Sequence, residues 1–196
     1  MKTHSYSYGC ETGMIDISGL CDPADTTAVI SKTPYWKQMH VTETLQIPAQ
    51  KPDMEQINSV DVAVNILRAE VIQTPRSYED TDGTPVPLPN LEGRLLSGRK
   101  LIVEGQLCQK VVYTALEPEQ SLHSAHFYVP FSSFIVVPEQ ITFVDSNGNT
   151  VVEDSTEVTF EVNACVEDVT VCALDERSIL KQVTLMLYVV PSRAAC

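Results

Sequence analysis

One stretch limits the fold more than any other: Leu101 to Val137, LIVEGQLCQKVVYTALEPEQSLHSAHFYVPFSSFIVV. Its odd positions run Leu101, Val103, Gly105, Leu107, Gln109, Val111, Tyr113, Ala115, while Glu104, Gln106, Lys110 and Thr114 fill even ones. A period of two with one apolar face is what a half-buried antiparallel strand requires. Glu117-Pro118-Glu119-Gln120 interrupts it, since proline lacks the ladder donor. The alternation resumes in His123, Ala125, Phe127, Val129, Phe131, Ser133, Ile135 and Val137. Two long strands joined by a polar turn commit the chain to β structure, and the rest must pack on them or pair with them.

The flanking segments agree. Trp36 to Ile47 places Met39, Val41, Leu45 and Ile47 in one phase, with Glu43 the exception and Pro48 the stop. Lys51 to Ile57 reads as a connector with one short helical turn after Pro52. From Ser59 to Gln73 the apolar phase slips near Ile66, which predicts a β-bulge. Thr74 to Gly98 holds four prolines and an Asp82-Gly83 turn, so it reads as a long surface contact loop. Ser146-Asn147-Gly148-Asn149 predicts a tight hairpin. Val158 to Val166 and Val169 to Ala173 differ in parity, which predicts a second bulge near Asp168, and Val183 to Val189 supplies the last strand. The fold expected is all-β, an antiparallel β-sandwich or barrel-like domain with long hairpins, bulges and flexible terminal arms. With 196 residues the chain can bury a core without disulfides.

Residues 1–35 read as an N-terminal arm, 36–191 as the β-domain with its insertion at 74–98, and 192–196 as a C-terminal tail. The arm is either a tail or a segment that orders on the sheet edge of a neighbouring subunit, with Ile15-Asp16-Ile17 and Ala28-Val29-Ile30 as its strand-like pieces.

Charge and motifs exclude much. A net charge of -13 with no basic stripe argues against nucleic acid and anionic membranes. No run approaches the roughly 20 apolar residues of a membrane span. The opening MKTHSYSYGC lacks the apolar core of a secretory signal, so synthesis and retention in the cytosol are expected. His123 and His126 are three apart on a strand and point to opposite faces, so they cannot share a metal. His123 shares the apolar phase and is expected to be a hydrogen-bonded core residue. No nucleophile elbow, dinucleotide fingerprint or phosphate loop occurs. The expectation is a protein that is not an enzyme, with no catalytic residue, metal or cofactor.

The cysteines say more. Cys108, Cys165 and Cys172 fall in the polar phases of their strands, and Cys10, Cys21 and Cys196 lie near the termini. A free cysteine ordinarily prefers the core. Two readings stay open: inert thiols with at most an intrachain bridge, or linkage between subunits once conditions become oxidising. The candidates for the second are Cys10, Cys21, Cys108, Cys165, Cys172 and Cys196.

Three strings in order, LQIPAQKPDMEQINSV, KLIVEGQLCQKVVY and QSLHSAHFYVPFSSFIVVP, resemble the SPOCS domain of endospore-forming bacteria. The matching positions include Pro48, Lys51, Pro52, Asp53, Lys100, Gly105, Lys110, Tyr113, His123, Pro130 and Phe131, and Leu174 to Arg177 fits the family's second half. The resemblance spans about Thr42 to Val190. It implies synthesis in the mother-cell cytosol and a structural role in the spore coat or exosporium. The expected partner is the protein itself, in a layer or filament reinforced by inter-subunit disulfides, with other spore-envelope proteins as further expected partners. The alternative is a morphogenetic adaptor that recruits another coat protein.

Overall fold

The computed structural model describes residues 15–31, 33–84, 86, 96–145 and 148–193. Along the chain these form β1 (Asp16–Ser18), α1 (Pro23–Ile30), β2 (Trp36–Gln46), β3 (Met54–Arg76), β4 (Ser97–Ala115) and β5 (Leu122–Val136). Then come β6 (Gln140–Val144), β7 (Thr150–Asp154), β8 (Val158–Ala173) and β9 (Ser178–Arg193).

The stretch from Leu101 to Val137 behaves as its alternation demands. β4 and β5 pair antiparallel from Lys100↔Val136 to Thr114↔Leu122. Every odd position of β4 from Leu101 to Ala115 is buried. They belong to a four-stranded sheet of order β1-β3-β4-β5, which faces a three-stranded sheet of order β2-β9-β8, while β6 and β7 form a separate hairpin. Among the described residues the sheets do not close into a barrel, so the fold is a β-sandwich. Val60, Val103, Leu107 and Val111 from one sheet join Val183, Leu185, Leu187 and Val189 from the other in a single core. Each such fully buried side chain contributes roughly 1.5–3 kcal/mol relative to exposure.

Both expected bulges are present, as register shifts between Ile66 and Arg68 and between Val166 and Asp168. The β6–β7 hairpin pairs Val144 with Thr150, and Gly148 N donates to Asp145 O at 3.0 Å; residues 146 and 147 lie outside those described. In the 74–98 insertion, β3 continues to Arg76, and Asp80 and Gly83 close a turn with a Gly83 N to Asp80 O bond of 3.1 Å. Residues 85 and 87–95 lie outside the described set, so the contact-loop reading is not addressed there.

Three expectations are corrected. The connector at Lys51 to Ile57 forms no helical turn. Ile47 N donates to Arg177 O at 2.8 Å and Met54 N to Glu176 O at 2.7 Å, so the β8–β9 turn takes its backbone in extended form. Ala28-Val29-Ile30 is the end of a helix rather than a strand: Asp22 caps it through a 2.8 Å bond from Ala24 N, and Pro23 opens its first turn. Finally, the described part of the N-terminal segment lies on its own domain. β1 pairs in parallel with β3, Ile17 opposite Val60. The next residue, Gly19, has φ of +92°, and a Cβ there would sit 1.9 Å from Val62 O, so only glycine passes this close to β3.

Candidate functional site

The strand cysteines do point away from the core, as their parity indicates, but two of them are not exposed. Cys165 is only 3% exposed, and Cys172 is buried. For Cys165 the reason is the N-terminal segment, which crosses the outer face of β8 there. Cys21 N donates to Val166 O at 3.0 Å, and Thr26 Oγ1 donates to Cys165 Sγ at 3.3 Å. Cys21 and Cys165 form a disulfide with their Cα atoms 5.5 Å apart, a separation within the normal range. Cys172 is disulfide-bonded as well. The reading of Cys21, Cys165 and Cys172 as inter-subunit links is therefore corrected: Cys21 and Cys165 satisfy each other across one chain, and Cys172 is already bonded. Cys10 and Cys196 lie outside the described residues. Cys108 is the free cysteine among the described residues, half-buried on the outer face of β4.

That outer face, unlike the one over β8, has no segment of the chain laid across it among the described residues, though Lys37 Nζ of β2 reaches over the Phe134 ring at 3.8 Å from its centroid. Cys108 sits in a row between Ala63 and Tyr128, and the next row joins Asn65, Gln106 and Pro130. Tyr128 is 63% exposed and Val136 52%. From the row of Asp61 to the row of Ile72, three carboxylates (Asp61, Glu70, Glu104) meet three cations (Arg68, Lys100, Lys110) on β3 and β4. Arg68 pairs with Glu70 and with Glu104, the latter at 3.5 Å. A chain of net charge -13 thus carries one locally neutral, partly apolar face.

The core holds a polar group that alternation alone does not explain. Glu43 interrupts the apolar phase of β2, Gln109 that of β4 and Lys181 that of β9. Glu43 and Lys181 are register partners on adjacent strands, and Gln109 faces them from the other sheet. Gln109 Nε2 donates to Glu43 Oε1 at 2.6 Å, and Lys181 Nζ lies 3.5 Å from the same oxygen. Lys181 is 0% exposed. Burial pushes its pKa down to about 8, with the Glu43 carboxylate acting in the opposite direction. Glu43 Oε2, Gln109 Oε1 and Lys181 Nζ have no hydrogen-bond partner in the protein. The signal for this cluster was visible: each member is the polar interruption of an apolar row, and Glu43 stood out on that ground.

Several of the residues behind the SPOCS resemblance, Pro48, Lys51, Pro52, Asp53, Tyr113, His123 and Arg177, meet at one corner. The Arg177 guanidinium pairs with Asp53 and donates through Nη2 to Ile47 O at 3.2 Å, Pro48 O at 2.7 Å and Lys51 O at 3.2 Å. Tyr113 OH donates to Pro52 O at 3.1 Å. Burial raises the Tyr113 pKa above its ordinary value. His123 stacks on Tyr113 with ring centroids 6.0 Å apart and lies 3.0 Å from Ser121 Oγ. His126 is exposed on the opposite face. A planar guanidinium gathering three carbonyls and a carboxylate is an architectural latch: it pins the β2–β3 connector to the β8–β9 turn. No group of three or more His, Cys, Asp or Glu side chains suited to a metal occurs among the described residues. An apolar cleft of about 620 Å³ between Val29, Tyr35, Phe143 and Val190 offers no convergent polar groups, since Thr33 Oγ1 is already bonded to Val189 O at 2.9 Å.

The family model described as SipL, SPOCS domain, matches residues 53–173, well over half of the chain. The chain belongs to this family. The SPOCS match runs from Asp53 to Ala173, from the connector's latch residue to the end of β8, and is narrower than the resemblance of Thr42 to Val190. The SipL family is spore-associated, which makes this a spore-related protein. Among curated proteins and solved structures nothing matches. No helix among the described residues is long and apolar enough to cross a membrane.

Proposed function

We propose that this SPOCS-domain protein is a structural subunit of the spore envelope, coat or exosporium, made in the mother cell and assembled on the spore surface with copies of itself. The observation that carries this reading is the contrast between the two outer faces. One is covered by the N-terminal segment and tied by the Cys21–Cys165 disulfide. The other, over β3, β4 and β5, is crossed by no described segment, is balanced in charge between Asp61 and Ile72, and carries exposed Tyr128 and Val136. Copies of net charge -13 repel one another at long range, and a neutral face is where that repulsion is weakest at contact. A stable pair needs about 800 Å² from each partner, centred on aromatic side chains with a polar rim. Cys108, in the middle of the face, is the described thiol positioned for covalent linkage between copies under oxidising conditions.

The test compares the purified chain with Tyr128→Glu by light scattering and negative-stain electron microscopy. The wild type is expected to form ordered high-molecular-weight material, and Tyr128→Glu to lose the contact through this face and give smaller or thinner particles, with an unchanged circular dichroism spectrum. A wild type that stays monomeric over the same concentration range, before and after oxidation, refutes self-assembly. Assembly undisturbed by Tyr128→Glu refutes the choice of face.

A further inference from the structure

The Glu43–Gln109–Lys181 cluster is more than an ion pair that happens to be buried. A structural polar network inside a core ordinarily satisfies its members, because each buried unpaired group costs roughly 1–3 kcal/mol. Here Glu43 Oε2 and Gln109 Oε1 have no hydrogen-bond partner, and Lys181 Nζ has only its 3.5 Å ion pair with Glu43. The chemistry of the three is complementary: an amine, a primary amide and a carboxyl between them. Glu43 Oε1 lies 2.6 Å from the amide nitrogen and 3.5 Å from the amine, so one oxygen faces both nitrogens.

We propose that Lys181 and Gln109 become joined by an amide bond across the sandwich, with Glu43 as the proton shuttle and ammonia as the product. Lys181 Nζ, as the neutral amine, attacks Gln109 Cδ. The Nζ–Cδ bond forms and the Cδ–Nε2 bond breaks. Glu43 takes one proton from Nζ and delivers it to Nε2, which leaves as ammonia. Atoms and charge balance with no oxidant, nucleotide or metal.

Four features favour the step. The site is buried, and desolvation lowers the lysine amine's pKa to about 8, which leaves a fraction of it as the neutral nucleophile near neutral pH. The strands fix the reactants: Glu43 faces Lys181 across the β2–β9 ladder, and Gln109 comes from β4 in the opposing sheet. Holding reactants together in this way replaces a bimolecular encounter, and a single Glu43 oxygen within 3.5 Å of both nitrogens keeps Lys181 and Gln109 side by side. Glu43 touches both the attacking and the leaving nitrogen, as a shuttle must. Condensation of Lys181 with Glu43 itself lacks this feature, because the carboxyl would be the electrophile and no second acid–base group faces it among the three. The product also removes the ammonium from the core and ties the two sheets together. This inference does not depend on how copies of the protein associate.

The experiment is the intact mass of the full-length purified chain after reduction and alkylation. The expected result is a deficit of about 17 Da against the sequence mass, one ammonia. A tryptic digest should yield the Gln109 and Lys181 peptides as one branched species, with no cleavage after Lys181. Glu43→Gln keeps the shape of the shuttle but not its proton transfer, and should show the full mass and two separate peptides. A folded wild type of full mass overturns the proposal, and this readout needs no variant to fold. A deficit mapped to Lys181 and Glu43, about 18 Da for one water, overturns the assignment of Gln109. A deficit that persists in Glu43→Gln overturns the role of Glu43.

Discussion

Replacing both cysteines of the Cys21–Cys165 disulfide by alanine removes a cross-link between positions 144 residues apart. In the chain-entropy treatment, closing a loop of that length restricts the unfolded state by about 5 kcal/mol at 25 °C. That figure is a ceiling, since unfolded chains retain some structure and the measured loss on removing native disulfides runs from about 2 to 5 kcal/mol. The full effect appears only if the N-terminal segment unfolds with the domain rather than peeling away first. Its attachments argue for joint unfolding. β1 is laddered to β3 in one sheet, Cys21 N is bonded to Val166 O in the other, and Thr33 Oγ1 is bonded to Val189 O. For a chain of this size each kcal/mol moves Tm by about 2–4 °C, so the double variant Cys21→Ala/Cys165→Ala should melt roughly 4–20 °C below the oxidised wild type. Circular dichroism melts and urea titrations provide the measurement. Cys108→Ala is the control, and it should stay within about 0.5 kcal/mol of wild type because its side chain is partly exposed and unpaired. A single main transition displaced by less than about 2 °C would show that the segment is not part of the cooperative unit, and the reasoning would fail.

Two further outcomes follow from the core. In Gln109→Leu, whose lysine amine has no amide to attack, Lys181 titrates in the folded state near 8 against an ordinary 10.5. The unfolded chain then holds the extra proton between those values, so stability should rise as pH increases from 8 to about 10.5, by a total on the order of 3 kcal/mol. Urea midpoints at pH 7.5 and 10, referenced to Gln109→Leu/Lys181→Met to subtract the other titrating groups, check the sign; a fall relative to the reference contradicts it. At the sheet centre, a Cβ on Gly105 would lie 2.4 Å from Phe131 Cζ and 3.0 Å from Asn65 O. Gly105→Ala should therefore lose about 1–3 kcal/mol in urea unfolding, with part of the loss recovered by Phe131→Leu.

The hairpin of β4 and β5 was legible because alternation over long strands admits one register and one buried face. The bulges at Ile66 and Val166 were legible for the same reason, as places where the apolar phase changes parity. Parity was also right for Cys165 and Cys172, yet their burial was not foreseen. Alternation tells which side of a sheet a residue faces, not what lies across that side, and over Cys165 the cover comes from Cys21 and Thr26, more than 130 residues earlier. That segment was misread where local signals competed. Ala28-Val29-Ile30 has β-branched residues that suit a strand, but the Asp22 cap and Pro23 at the first helical turn decide its conformation. The Lys51 to Ile57 connector was misread because its partner, the backbone of Glu176 and Arg177, is distant in sequence. Glu43 and Gln109 were noticed as members of otherwise apolar rows; that they meet Lys181 follows from the pairing of β2 with β9 and the facing of the sheets.

The parallel pairing of β1 with β3, and the segment it anchors, give the domain a finished side and a raw one. If copies join raw side to raw side about a two-fold axis, that contact closes on itself and cannot propagate. Growth in the plane then falls to other surfaces, such as the strand edges. Any wall built this way would be two domains deep, with the disulfide-sealed sides turned outward on both surfaces. Cross-sections one domain deep would be incompatible with it.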